Sequence, residues 1–437
     1  MKILRLTSRT EKLLLAGRAK SDGEAGRVAA RIVADVRKRG DAALFSWTQR
    51  LDRVALDSRS VWVSRREMQK ASRSVAPEFL GAVRRAAKNI RAVALQQLPR
   101  EWEFDVAPGV RVAQRVRPIG AVGCYVPGGR FSLVSTLLMT AIPAQVAGVR
   151  RIVVASPQPG AALLAAAREL GITQVARIGG AQAIAALAYG TRSIDRVDKI
   201  AGPGNRYVTA AKRLVSADCA IDLLAGPTEA MVLAVRGNAR FIAADLLAQA
   251  EHDPDAVAIL VTTSARLGET VAKEIRVQLA ELPVSNPAHR SLLKQGAILI
   301  ARDIAAAVRF VNLFAPEHLT LGAGAESLLD RIECAGSIFL GDWSAQAFGD
   351  YASGTNHVLP TGGVARARGG LSAADFVKCV SVQRVTRGGC ARLAPVAAEF
   401  AKAEGLRAHG ASIEFRAEFR GEVRGESSAE ARGEARR

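Results

Sequence analysis

Glu317 and His318 stand side by side in the stretch "LFAPEHLTL". A carboxylate beside an imidazole can do acid–base work, because His moves protons near neutral pH and the carboxylate can orient it or act as a second base. Pro316 disfavours the helical conformation of the residue before it, so the pair falls where a helix ends and a strand begins. A solvated loop pair has the same sequence, so the weight rests on other residues. In "LLAQAEHDPDA", Gln249 and His252 are three apart, one helical face, where they can share a metal or cap a helix end. In "GDYASGTNHVLPTGG", Asp350 and His357 lie in a loop rich in small polar residues; Asp350 suits a hard cation, and Asx turns explain the same composition. His409, in "EGLRAHGAS", lies near another helix end. Together Gln249, His252, Asp350 and His409 make an N/O donor set that suits zinc, with Glu317 and His318 as unligated bases beside it.

Three glycine-rich turns add a second kind of chemistry: "YVPGG" (125–129), "IGGAQA" (178–183) and "AGPGNRY" (201–207). Each follows a strand pattern and precedes a helix, where backbone N–H groups can receive the phosphates of a dinucleotide. None is the GxGxxG fingerprint, since the third turn lacks its last glycine.

The elements that must position these residues follow a βα rhythm. Residues 1–122 are mostly helical by their three- and four-residue apolar spacing, ending in the alternating "GVRVAQRVRP" of a strand or hairpin. Residues 123–228 and 229–370 each alternate a short apolar strand with a helix, the pattern of a parallel sheet covered on both faces. The expected fold is therefore α/β, with two doubly wound domains, the first carrying the glycine-rich turns and the second the metal and catalytic residues. The helical stretch over residues 1–122 is expected to pack with the second. Residues 371–415 are expected to form a helical segment, and 416–437, almost all Arg, Glu, Gly, Ala and Ser, to be a disordered tail.

The 437 residues are 49% hydrophobic and only 5% aromatic, which predicts aliphatic cores. A net charge of +20 raises nucleic acid as a partner, but the arginines are spread along polar helix faces without interleaved aromatics, so no nucleic-acid site is expected. Cysteines at 124, 219, 334, 379 and 390 are odd in number and lack metal-type spacing, which suits a reducing compartment. The N-terminus lacks the apolar core of a signal peptide, and no run reaches the ~18 apolar residues of a membrane span, so a cytoplasmic protein is expected. Cys124 has no neighbour in sequence that would activate a thiol.

The pieces "AGPGNRYVTAAKR", "LAGPTE", "AQAEHDPDA", "FAPEHL" and "GDYASGTNHVLPT" resemble the histidinol dehydrogenase family, over about residues 25–415. The resemblance implies NAD-linked oxidation of L-histidinol to L-histidine, through an enzyme-held aldehyde, with zinc. It implies zinc ligands Gln249, His252, Asp350 and His409, a catalytic pair Glu317 and His318, and NAD contacts Tyr125, Gln182 and Asn205. Substrate contacts implied are Thr228, Gln249, His252, His318, Asp350, Glu404 and His409. It further implies a homodimer that exchanges its C-terminal segments. Thr228 stands where the family commonly has Ser, and "RFSLVSTLLM" departs from the family's usual Tyr–Pro–Ser–Ser run. Relatives of this fold oxidise other alcohols, including sulfonated diols, so the alternative is a dehydrogenase of the same fold acting on another diol or amino alcohol.

Overall fold

The computed structural model describes residues 1–18, 23–128 and 133–419. In chain order its strands are β1 (Lys2–Arg5), β2 (Trp102–Ala107), β3 (Val110–Pro118), β4 (Ala121–Tyr125), β5 (Arg151–Ala155), β6 (Gln174–Ala176), β7 (Lys199–Ala201), β8 (Ala220–Ile221), β9 (Glu229–Leu233), β10 (Val257–Thr262), β11 (Ala297–Ile300), β12 (His318–Leu321), β13 (Ser337–Leu340) and β14 (Val377–Val385). The chain divides into two compact units, Met1–Leu98 with Pro118–Val377, and Pro99–Arg117 with the chain from Lys378 onward.

The first unit holds two all-parallel sheets. One has the order β6-β5-β4-β7-β8, the other β1-β11-β10-β9-β12-β13. Their central strands are apolar runs buried on both faces, as in "VAILVT" of β10. Helices on either side close two apolar layers over each sheet. This is the doubly wound α/β architecture that the βα rhythm predicts.

Two expectations need correction. The N-terminal helical stretch does not pack as a block with the second sheet. Only its beginning does: β1 pairs with β11, and Leu4, Leu6, Leu14 and Leu15 join that sheet's core. The helices Gly23–Arg39 and Pro77–Gln96 instead bury Ile32, Val36, Val83 and Ile90 against the β4–β8 sheet. An amphipathic stripe shows that a helix is buried but not which sheet buries it. Next, the segment from 371 is not helical throughout. Val377–Val385 is β14, in a small sheet of order β14-β3-β2 in which β2 and β3 run antiparallel. Its valines at 377, 380, 382 and 385 favour strand. Beyond β14 the second unit carries the helices Arg387–Ala403 and Arg407–Glu418. The expected tail therefore begins no earlier than Phe419, and its residues 420–437 lie outside the described residues.

Candidate active site

The helix Ile304–Phe314 ends on Ala315, whose φ of +51° turns the chain out of the helix one residue before Pro316. Glu317 and His318 then enter β12, only 6% and 3% exposed. The backbone is held by Gly336 N–H on the Pro316 carbonyl and Ser337 N–H on the Glu317 carbonyl, both 2.9 Å. Beside this turn lies the start of β9, because His318 pairs with Ala230 in parallel register. Thr228 Oγ1 donates to Glu317 Oε2 at 2.5 Å and the Glu229 N–H to the same oxygen at 2.8 Å. Gln249, buried in the last turn of the helix Ala239–Ala250, donates its amide to Thr228 Oγ1.

His318 sits between two carboxylates. Its Nδ1 is 3.6 Å from Glu317 Oε2 and its Nε2 is 3.4 Å from Asp350 Oδ1. These are charge contacts longer than a normal hydrogen bond, and both ring nitrogens lack a hydrogen-bond partner. Burial works against a charge on the ring, but Glu317 and Asp350 outweigh it and lift His318 to about 10. Asp350 lies in the short helix Gln346–Tyr351. Burial pushes its carboxyl up, and His318 first, then His357 and His252, outweigh that and lower it. His357 is half-buried with both nitrogens engaged, Nδ1 3.1 Å from the Asp350 carbonyl and Nε2 3.2 Å from Thr136 Oγ1. It ties the Asp350 loop to the helix Val134–Val146 and is not free to ligate.

His252 lies two residues past the end of its helix and is exposed. A cavity of about 510 Å³ opens at this residue, walled by Phe79, Val83, Leu133, Leu138 and Tyr351. Glu404 and His409 belong to the second unit, Glu404 as the C-cap of the helix Arg387–Ala403 and His409 within Arg407–Glu418, and both are exposed. Of the expected ligand set, the first unit thus supplies Gln249, His252 and Asp350. Among the described residues no three His, Cys, Asp or Glu side chains converge on one point. That follows from the set itself, which has one amide, one imidazole and one carboxylate here. The donor chemistry fits a divalent ion such as zinc, and the set is one imidazole short.

The expected NAD residues lie at the carboxyl ends of the β4–β8 strands. Tyr125 ends β4, buried, and its hydroxyl accepts the Gly180 N–H at 3.1 Å. Gln182, fully buried, donates to Asp52 Oδ2 at 3.1 Å and leaves its Oε1 without a partner. Asn205 follows β7, is exposed, and caps the helix Arg206–Val215 by accepting the Tyr207 and Val208 N–H groups. Gly202, at φ +120°, passes so close that a Cβ would meet the Tyr125 carbonyl at 2.0 Å, so only glycine fits this turn. Strand order reverses between β4 and β7, the crevice where open α/β sheets receive ligands. Cys124 is buried and its thiol is pushed up to about 12 by burial, so it stays protonated and unreactive.

Several participants carry no sequence signal. Asp52 holds Gln182, and Glu229 holds Glu317 by its backbone. Arg18 grips Glu229 from 211 residues away, with Nε–Oε1 at 2.7 Å and Nη2–Oε2 at 2.5 Å. No spacing rule links positions that far apart.

Comparison with known proteins identifies the family. Residues 16–417 match the family described as histidinol dehydrogenase. The chain is 44% identical over 414 residues to the histidinol dehydrogenase of Methanosarcina barkeri, covering 93% of this chain and 94% of that one. It is 48% identical over 392 residues to that of Geobacillus kaustophilus, covering 88% and 92%. The crystal structure of histidinol dehydrogenase from Elizabethkingia anophelis superimposes with a TM-score of 0.91 at 36% identity, covering 95% of this chain and 98% of that one. Sequence and fold agree over nearly the whole length, and the chain belongs to the histidinol dehydrogenase family of oxidoreductases.

Proposed function

We propose that this protein oxidises L-histidinol to L-histidine through L-histidinal, in two hydride transfers to NAD, as the last steps of histidine biosynthesis. The observation that carries the reading is the buried pair of bases at the head of β12, with Glu317 Oε2 fixed by Thr228 and Glu229 and His318 set between Glu317 and Asp350. In the first half-reaction His318 must first give up its own proton, which Glu317 and Asp350 hold in place and which loosens when Asp350 is drawn to another cation; the free ring nitrogen then takes the hydroxyl proton as hydride leaves the carbinol carbon. In the second, Glu317 takes a proton from the water that adds to the aldehyde carbon, the hydrate gives up the second hydride to NAD, and the resulting carboxylic acid releases its remaining proton to solvent as the carboxylate. Both bonds that hold Glu317 fall on Oε2, which leaves Oε1 to accept that proton. Thr228 keeps the hydroxyl that the usual Ser would supply, and here that hydroxyl orients Glu317.

Gln249, His252 and Asp350 would hold the zinc ion, which when bound orients the substrate and competes with the His318 imidazolium for Asp350. Its fourth ligand in this reading is His409 of a second copy. Support comes from the second unit, which leaves Trp102, Phe104, Phe400 and Phe415 exposed at 44%, 55%, 66% and 72%. Aromatic surface of that extent belongs in an interface. A two-fold homodimer exchanging these segments would bring Glu404 and His409 to the partner's site. The proposed compartment is the cytoplasm, in keeping with five free thiols. No helix among the described residues is long and apolar enough to cross a membrane.

The test is NADH formed per L-histidinol consumed, beside small diols and with or without a chelator. The reading expects two NADH, preference for histidinol, and a loss on chelation that zinc reverses. One NADH, or faster turnover of a diol, would favour the alternative alcohol substrate.

A further inference from the structure

We propose that Arg18 is a positioning residue for Glu317, holding the turn that carries it from both flanks; this rests on the reading of Glu317 as the base of the aldehyde half-reaction. Arg18 follows the first helix, Ser8–Ala16, and its side chain is 9% exposed. Its guanidinium makes three separate attachments. One N–H donates to the Phe314 carbonyl, the last of the helix before the turn. The fork binds both oxygens of Glu229, at 2.7 and 2.5 Å. The plane lies 3.8 Å over the Phe314 ring. Phe314 stands three residues before Glu317, and Glu229 supplies the N–H that fixes Glu317 Oε2.

The turn needs such a hold. Ala315 sits at φ +51°, a left-handed conformation that strains a residue with a Cβ. Glu229 is buried beside Glu317, and burial pushes its carboxyl up, with Arg18 pulling it down and Glu317 pushing it up again. Without the guanidinium, two buried carboxylates share this space with no cation on Glu229. The Gly362 N–H, 3.2 Å from Glu229 Oε1, is a weaker substitute. Only an arginine offers a bidentate fork for the carboxylate together with a further N–H for a carbonyl.

The test uses the full-length enzyme and measures the two half-reactions separately, from L-histidinol and from L-histidinal, in Arg18→Met, Glu317→Gln and the double variant. Arg18→Met should slow aldehyde oxidation by about 10²-fold, with KM for L-histidinal and for NAD within about threefold, because a misplaced base costs turnover rather than binding. Alcohol oxidation should fall far less. On the Glu317→Gln background the same substitution should add little, since both changes disable one group. A merely structural role would lower both half-reactions together and would multiply with Glu317→Gln. That result, or an Arg18→Met enzyme with wild-type aldehyde oxidation, overturns the proposal. Should Arg18→Met not fold, Arg18→Lys keeps the charge and loses the fork, and the same selective loss is expected at smaller size. If Glu317→Gln itself leaves aldehyde oxidation unchanged, the reading of Glu317 falls and Arg18 with it. If Glu317→Gln slows it and neither Arg18 variant does, only the Arg18 proposal falls.

Discussion

The two parallel sheets of the first unit share a plan and use opposite ends of it. Each reverses its strand order beside a central strand, between β4 and β7 in one and between β9 and β12 in the other. In the first, the candidate residues lie past the carboxyl ends of the strands, where Tyr125, the Gly179–Gly180 turn and Asn205 surround the crevice. In the second they lie at the amino ends, where Thr228 and Glu229 open β9 and Glu317 and His318 open β12. Topology therefore locates the crevice but not the edge. The edge is chosen by what the turns carry. Glycine-rich turns expose N–H groups to an anionic cofactor, whereas strand heads that begin with Glu and His bring titratable side chains together by parallel register.

The division can be broken at its strongest point first. His318→Gln should lower turnover of histidinol by about 10³-fold while NAD binding stays at the wild-type level, as expected for loss of a general base. Steady-state kinetics with a parallel NAD titration checks this; loss of NAD binding would erase the division between the sheets. The next effect concerns the proposed sharing of His409 between two chains. His318→Ala and His409→Asn, each inactive, are unfolded together and refolded as a mixture. Shared sites should return about a quarter of wild-type activity, since half the dimers are mixed and one of their two sites is intact. Proven mixed dimers without activity would place His409 in its own chain's site.

A smaller effect concerns the helix that carries Gln249. Asp245, on the same helix, is held up at about 6 by burial, with Asp342 adding to this and the Gln346 N–H opposing it. A carboxyl whose folded pKa is raised gives stability that is full below its unfolded value, near 3.8, and lost as pH rises through 6. Asp245→Asn should therefore stabilise the protein by about 3 kcal/mol at pH 8 and by almost nothing near pH 3, read from denaturant unfolding at the two pH values. Equal effects at both would show that the carboxyl is not strained. Smallest of all, Thr228→Ser should leave kcat/KM within about twofold, because the hydroxyl on Glu317 survives, whereas Thr228→Val should not.

The two edges were not equally legible in the sequence. The glycine turns and the Glu317–His318 pair are local, so adjacent residues announce them. The buried strands are also local, as unbroken aliphatic runs such as "AILI". What failed was short, solvated or distant. β1 is four residues of mixed polarity, and β14 is exposed along most of its length, so neither shows a buried run. The helix Gly23–Arg39 shows its apolar stripe but not the sheet it covers. His357 is a loop residue by composition and a hydrogen-bonded clamp by structure. Arg18 and Glu229 meet across 211 positions, and only the folded backbone brings them together.

The division between edges is tested most directly by one measurement, the dissociation constant of NAD by fluorescence titration for two variants. Asn205→Ser keeps an oxygen to cap the helix Arg206–Val215 and removes the amide, so the fold survives the change. Glu317→Gln keeps the shape of the buried base and removes its charge. Asn205→Ser should weaken NAD binding about tenfold, the worth of one good hydrogen bond, and Glu317→Gln should leave it unchanged. Normal NAD binding by Asn205→Ser together with loss of it in Glu317→Gln would contradict the account.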